Sequence, residues 1–200
     1  SYPYGISKLQ GEQSLVQMAD NNFSVIALRK GTVCGYSPRM RLDLIINTMF
    51  RAVIEKNEIT VNNPSIWRPI VSIQDTASAY IRAVEAPDDV GGIFNIASGN
   101  YTVGEVADLV KTSLGRMLNR DVKLNILHRT DYRNYKVDVE KARKVLSFKP
   151  SDNIQSIVDD LVENMERFKD FANPAYINID VFKQIQAAQP HRLPAGARVR

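Results

Sequence analysis

The stretch that most constrains the fold is residues 23–33, FSVIALRKGTV. It is mostly apolar and rich in β-branched residues, which suits a strand buried within a parallel sheet. Upstream, Ile6, Leu9, Leu15, Val16 and Ala19 follow helical spacing, and Asp20-Asn21-Asn22 supplies a stop. A helix feeding a buried strand is half of a βαβ unit.

The alternation continues along the chain. Gly35-Tyr36-Ser37-Pro38 breaks the first run. LDLIINTMFRAVIEKN then reads as an amphipathic helix with Leu42, Ile45, Ile46, Met49, Val53 and Ile54 on one side. EITV is a short strand, NNPS a turn and RPIVSI another apolar strand. Asp75 is placed to cap the helix TASAYIRAVEA, which ends before Pro87. GGIFNIAS is a strand, and Thr102 with Glu105 makes a capping box for VGEVADLVKTSLG. VKLNIL gives a strand, VEKARKVL a short helix and IQSIVDDLVENMERFKDF a longer one. Strands alternating with helices predict an α/β protein. No G-x-G-x-x-G turn joins a strand to a helix, and Gly91-Gly92, which precedes a strand, reads as a turn.

Composition narrows the functional classes. The chain is 44% hydrophobic over 200 residues, enough for the core of one domain, or of one and part of another. No apolar stretch reaches the ~20 residues of a membrane span, and the start lacks the layout of a signal peptide. It also lacks an initiator Met, which points to a true start elsewhere. Cys34 is the only cysteine and forms no internal disulfide, which fits a reducing, cytoplasmic compartment. His128 and His191 have no cysteine or carboxylate at ligand spacing, so no metal site is expected. The net charge is +4, but Arg192, Arg198 and Arg200 lie in the last ten residues without an acid. That tail reads as disordered, the body is nearly neutral, and a nucleic-acid face is not supported.

One spacing suggests chemistry. Tyr-x-x-x-Lys occurs twice, as Tyr4/Lys8 and Tyr132/Lys136. At i, i+4 on a helix the two side chains are neighbours. A free tyrosine titrates near 10, and an adjacent ammonium favours the phenolate that a general base requires. Tyr4/Lys8 opens an amphipathic helix leading into a buried strand, whereas Tyr132/Lys136 lies in polar RTDYRNYKVD with no helical stripe. Spacing and context alone leave Tyr4 either a catalytic base or an exposed tyrosine at a helix start.

Five segments occur in order: YPYGISKLQGE, LRKGTVCGYSPRMRLDLIINTM, IWRPIVSIQDTASAY, FNIASGNYTVGEVADLV and DYRNYKVDVEKARKVLSFKP. Together they resemble the extended short-chain dehydrogenase/reductases, in particular the NAD-dependent nucleotide-sugar epimerase/dehydratase family, over about residues 1–168. The resemblance implies a Rossmann-type cofactor domain, here 1–36 and 68–88, and a smaller substrate-binding domain, 37–67 and 89–171. Residues 172–200 match nothing in it. Tyr4 would exchange a proton with a sugar hydroxyl, while Lys8 would tune Tyr4 and bond the nicotinamide ribose of NAD or NADP. Gly31, Thr32 and Val33 would pass close to the nicotinamide. Arg68 would grip the nucleotide diphosphate, joined by Arg41, Asn47 and Arg133, since the planar guanidinium bonds phosphate oxygens in pairs. The bland readings are solvated surface arginines for Arg41 and Arg133, a surface amide for Asn47 and a helix cap for Asp75.

Lys30 and Thr32 replace the Pro and Asn of many relatives, which weakens any transfer of substrate contacts to Thr32. The family's Gly-rich loop and its catalytic Ser/Thr, which precede the tyrosine, are missing from these residues. The resemblance therefore implies the C-terminal portion of an enzyme acting through a 4-keto sugar, paired in relatives as a homodimer through the tyrosine helix. The competing class is a non-catalytic relative serving as a binding or structural subunit. The 200 residues alone are expected to be poorly soluble or to depend on the missing half.

Overall fold

The computed structural model describes residues 3–128 and 133–188. Tyr132 of the second Tyr-x-x-x-Lys and the basic tail from 189 lie outside them.

Helix α1 spans Pro3–Gln17 and leads to strands β1 (Ile26–Lys30) and β2 (Thr32–Cys34). Next come α2 (Ile45–Lys56), β3 (Glu58–Asn62), β4 (Trp67–Ser72) and α3 (Ile73–Val84). They are followed by β5 (Gly92–Ile96), β6 (Gly99–Thr102), α4 (Val103–Leu118) and β7 (Lys123–Leu127). Helices α5 (Glu140–Val145), α6 (Ile154–Glu163) and α7 (Asn178–Ala188) complete the described chain. This is the α/β alternation expected from the sequence.

The run 23–33 is not one strand. It divides at Gly31 because its halves pair with different partners. β1 runs parallel to β5, Ile26 opposite Gly92 and Lys30 opposite Ile96. β2 runs parallel to β4, Thr32 opposite Ile70 and Cys34 opposite Ser72, and β4 pairs antiparallel with β6. β3 and β7 form a separate parallel pair. At the division the Gly31 N–H donates to the Ile96 carbonyl at 2.8 Å. A Cβ on Gly31 would stand 2.7 Å from the Pro69 carbonyl oxygen, so the close approach of β4 excludes any side chain.

Among the described residues two apolar cores result. The larger joins Ile46, Phe50 and Val53 of α2 to Ile59 and Val61 of β3, Val106, Val110 and Leu114 of α4, and Ile157 and Leu161 of α6. The smaller gathers Val71, Ala79, Phe94, Ile96, Ala142, Leu146 and Phe148. Within 89–171, β5 pairs with β1, and Ala142, Leu146 and Phe148 share the smaller core with its Phe94 and Ile96. Strand pairing sets which residues share a core.

The Thr102–Glu105 capping box forms as expected. The cap of α3 differs, because Ser72 Oγ takes the helix N-cap role by accepting from the Asp75 N–H at 2.8 Å. Asp75 lies one turn inside and is buried. Its carboxylate accepts from Ser98 Oγ (2.5 Å), the Ser151 N–H (2.9 Å) and hydroxyl (3.2 Å), and the Asp152 N–H (3.2 Å). Ser72 Oγ in turn donates to Asp152 Oδ2 at 2.5 Å.

Helix α1 departs furthest from expectation. Its apolar residues have helical spacing, yet none is buried, and Ile6, Leu9, Leu15 and Val16 are exposed. Residues 172–188, which match no motif of the resemblance, carry local structure of their own. Asn173 Oδ1 accepts from the Ala175 N–H, a 3₁₀ turn covers Pro174–Tyr176, and Phe171 and Tyr176 pack on the larger core. The Leu42 N–H donates to the Tyr176 carbonyl at 2.9 Å, and Arg39 donates to Asn178 Oδ1 at 3.0 Å. Among the described residues no helix is long and apolar enough to cross a membrane.

Cys34 is fully buried in the larger core, and desolvation pushes its thiol up to about 12. At pH 8 only about one molecule in 10,000 would carry the reactive thiolate. A colourless aromatic disulfide should therefore leave native Cys34 unmodified for hours and titrate one thiol at once in guanidinium. Immediate release of the coloured thiol from native protein would contradict this burial.

Candidate active site

Tyr4, Lys8 and Glu12 follow one another at i, i+4 and i+8 on α1, so they share one side of the helix. Lys8 Nζ lies 5.7 Å from the centroid of the Tyr4 ring. Tyr4 is 65% exposed, and the helix buries none of its residues. Glu12 anchors the stripe to the sheet. Its two carboxylate oxygens accept from the fork of Arg29 on β1 at 2.8 and 2.6 Å. Hydrogen bonding from Arg29 holds the Glu12 carboxyl below its ordinary range, and Glu12 raises the arginine in return. Arg29 is two residues before Gly31, so this bond sets the stripe beside the β1–β2 junction.

Gly31, Thr32 and Val33 themselves are taken up by the sheet. Gly31 is closed off by Pro69, Thr32 and Val33 pair with Ile70 and Val71, and Val33 packs on the smaller core.

A second group forms around the loop before α2. Asn47 is only 1% exposed, so it is not a surface amide. It donates to the Gly35 and Arg41 carbonyls at 3.1 and 2.8 Å and accepts from the Gly35 N–H at 3.1 Å. Both its amide hydrogens are used, and what it does here is fix that loop. Arg41 directs its fork at Asp43, with contacts of 2.6 and 3.0 Å. Partial burial pushes the Asp43 carboxyl up, but Arg41 and the Asn178 N–H outweigh it and leave it below the ordinary carboxylate range. The Arg41-x-Asp43 spacing in MRLD was the available signal for this pair.

The third group surrounds the start of β4. Arg68 is 8% exposed, stands opposite Tyr101 and donates from Nη1 to the Trp67 carbonyl at 3.2 Å. Residues 134–137 run along this end of the strand. The Trp67 N–H donates to Asn134 Oδ1 at 2.8 Å, and Lys136 Nζ lies 3.4 Å from the centre of the indole ring. Asn100 bonds the Val137 backbone in both directions. The neighbouring Arg133 is exposed. Sequence reasoning missed the Trp67–Lys136 contact, because residues 69 apart carry no local pattern that joins them.

Residues 1–97, from α1 through β5, match the model of the NAD dependent epimerase/dehydratase family. Over these residues the chain is similar to that family. Its fold recurs in solved members. UDP-N-acetylglucosamine 4-epimerase from Bacillus cereus is 26% identical with a TM-score of 0.67, covering 82% of this chain and 53% of its own. UDP-glucuronic acid 4-epimerase from Bacillus cereus, solved with UDP-glucuronic acid and NAD, is 20% identical with a TM-score of 0.68 over 82% and 52%. dTDP-glucose 4,6-dehydratase from Bacillus anthracis str. Ames, solved with NAD, is 21% identical with a TM-score of 0.66 over 84% and 55%. The chain thus spans about half the length of the family structures it matches. The α/β fold and parallel pairing of β1, β2, β4 and β5 are those of Rossmann-type enzymes of this family.

Proposed function

We propose that the chain is the C-terminal portion of an NAD(P)-dependent nucleotide-sugar epimerase or 4,6-dehydratase that works through a 4-keto sugar. The observation that carries this reading is the side-by-side phenol and ammonium of Tyr4 and Lys8, on a helix within the family-matched residues. An upstream portion supplies the Gly-rich loop and the Ser/Thr. The exposed apolar residues of α1, which an upstream portion or a second copy would cover, support that part of the reading. The cofactor body comprises 1–36, 68–88, β5 and 140–148; the substrate-binding body comprises 37–67 and the remainder of 89–171. A reducing, cytoplasmic setting agrees with the single buried thiol.

The described residues fit the nicotinamide-ribose end of a dinucleotide, because Tyr4 is exposed and Lys8 stands beside it on the same face of α1, a phenol and an ammonium within reach of one diol. When bound, the nicotinamide would accept a hydride from the sugar C4 and later return it. As that hydride leaves, Tyr4 Oη takes the proton of the C4 hydroxyl, so the C–O bond becomes a carbonyl. Lys8 places a positive charge beside the oxygen that must bear negative charge, and in an epimerisation Tyr4 returns the proton when the carbonyl is reduced. Glu12 and Arg29 hold this stripe against the sheet. Gly31 to Val33 form the wall beside it. Arg68, with Arg41 and Arg133, neutralises the nucleotide diphosphate, and Asn47 keeps the Arg41 loop in place.

The test is to incubate the full-length protein with UDP-glucuronic acid, UDP-N-acetylglucosamine and dTDP-glucose and follow the sugar by proton NMR. Appearance of a C4 epimer or a 4-keto-6-deoxy sugar is expected. Tight nucleotide-sugar binding with neither product would identify the non-catalytic relative instead. Arg68→Ala should raise KM about tenfold or more, the worth of a charge-assisted hydrogen bond, with kcat nearly unchanged. An unaltered KM in a folded variant would remove Arg68 from the diphosphate site. Residues 1–200 expressed alone should elute as large assemblies, whereas a monodisperse, cooperatively melting preparation would refute the need for an upstream portion.

A further inference from the structure

A cavity of about 300 Å³ opens between α3 and the turn after α5, lined by Ser78, Arg82, Ser147 and Lys149. None of these residues belongs to the groups around Tyr4, Arg41 or Arg68. Ser78 and Arg82 are four residues apart on α3 and share one face. Across from them, Phe148 is fully buried in the smaller core and anchors the segment that carries Ser147 and Lys149.

The lining has one chemical character. It offers two hydroxyls, a guanidinium and an ammonium, and no carboxylate. These are the donors that recognise phosphate oxygens. Arg82 Nη1 lies 3.0 Å from Glu85 Oε2, an exposed pair three residues apart on the helix. Such a pair contributes little and leaves the remaining N–H groups of the fork for another anion.

Ser147 supplies a second observation. It adopts φ 52°, the left-handed conformation just past the end of α5. Glycine is the usual residue there, because it takes that conformation without strain. A serine at that position accepts the strain and carries a hydroxyl to the cavity wall, and strained non-glycine residues gather at binding sites.

We propose that this cavity binds a phosphate group, either the free ion or the phosphate of a small monoester. The volume is at the lower end of small-molecule sites, about 300–1,000 Å³, which leaves space for a sugar-sized ester body. Arg82 and Lys149 balance the dianion, and Ser78 and Ser147 donate to its remaining oxygens.

Isothermal titration of the full-length protein, without cofactor or nucleotide sugar, tests this independently of the proposed reaction. Glucose 1-phosphate and inorganic phosphate are titrated separately. Saturable one-site binding below about 1 mM is expected from at least one of them, and the tighter of the two identifies the source. The double variant Arg82→Gln/Lys149→Gln should weaken it about tenfold or more through loss of two charge-assisted bonds. Ser147→Gly should weaken binding several-fold while the melting temperature holds or rises, since the strain is relieved. A purely structural serine would show the stability change without the loss of binding. No saturable binding by either compound, or wild-type affinity in the folded double variant, would overturn the proposal.

Discussion

Tyr4→Phe in the full-length protein should lower kcat by about 10²–10⁴-fold, the usual contribution of a positioned general acid–base group. Nucleotide-sugar affinity should change by less than about threefold, since the ring and its place on α1 survive. The reason is local. The phenolic oxygen is the only atom removed, and in the proposed reaction it is the one that takes the sugar hydroxyl proton beside the Lys8 ammonium. Lys8→Met should reproduce much of the kcat loss and also weaken cofactor binding, which separates its two roles. The exposure of Tyr4 makes the experiment clean, because no core contact is lost with the hydroxyl. Equal kcat in wild type and Tyr4→Phe, measured with the substrate that gives a product, would remove Tyr4 from the chemistry.

Asp75→Ala should cost about 3–5 kcal/mol of stability, the largest effect expected from a single substitution outside the active site. The carboxylate gathers two serine hydroxyls and two backbone N–H groups from the turn between β5 and β6 and from the residues just before α6. Removing it strands those donors in a buried place, at about 1–3 kcal/mol each before rearrangement and water recover a part. Ser151→Ala removes only one of the bonds, since its N–H still donates to the carboxylate, and should cost about 1 kcal/mol. The ratio of the two in guanidinium denaturation is the informative number. A loss below about 1 kcal/mol for Asp75→Ala would mean that water replaces the carboxylate and the junction is not closed.

The place of Asp75 shows how far local sequence reaches. The -SIQDTASAY- segment correctly announces a helix start with an acid in its first turn. Whether Ser72 or Asp75 serves as the cap depends on what else each oxygen finds. Ser98, Ser151 and Asp152 lie 23 to 77 residues away and claim the carboxylate, which leaves the Ser72 hydroxyl to cap the helix. Thr102 and Glu105 have no such competitors, and there the capping box forms as read. Asn47 follows the same logic. Its position on α2 was legible, but Gly35 and Arg41 take both its amide hydrogens and convert a candidate ligand contact into a loop support.

What sequence alone determined are the properties that depend on neighbours a few residues apart. These are helical spacing, the apolar character of strands, turn chemistry and the pairing of Tyr4 with Lys8 across one turn. Tertiary structure decided everything that depends on which strand lies beside which. It divided 23–33 at Gly31, gave β5 to β1, and brought Lys136 onto Trp67 and Ser147 beside Arg82. It also left the apolar side of α1 exposed. Periodicity reports that a residue is apolar, but only the packed chain determines whether a partner is there to bury it.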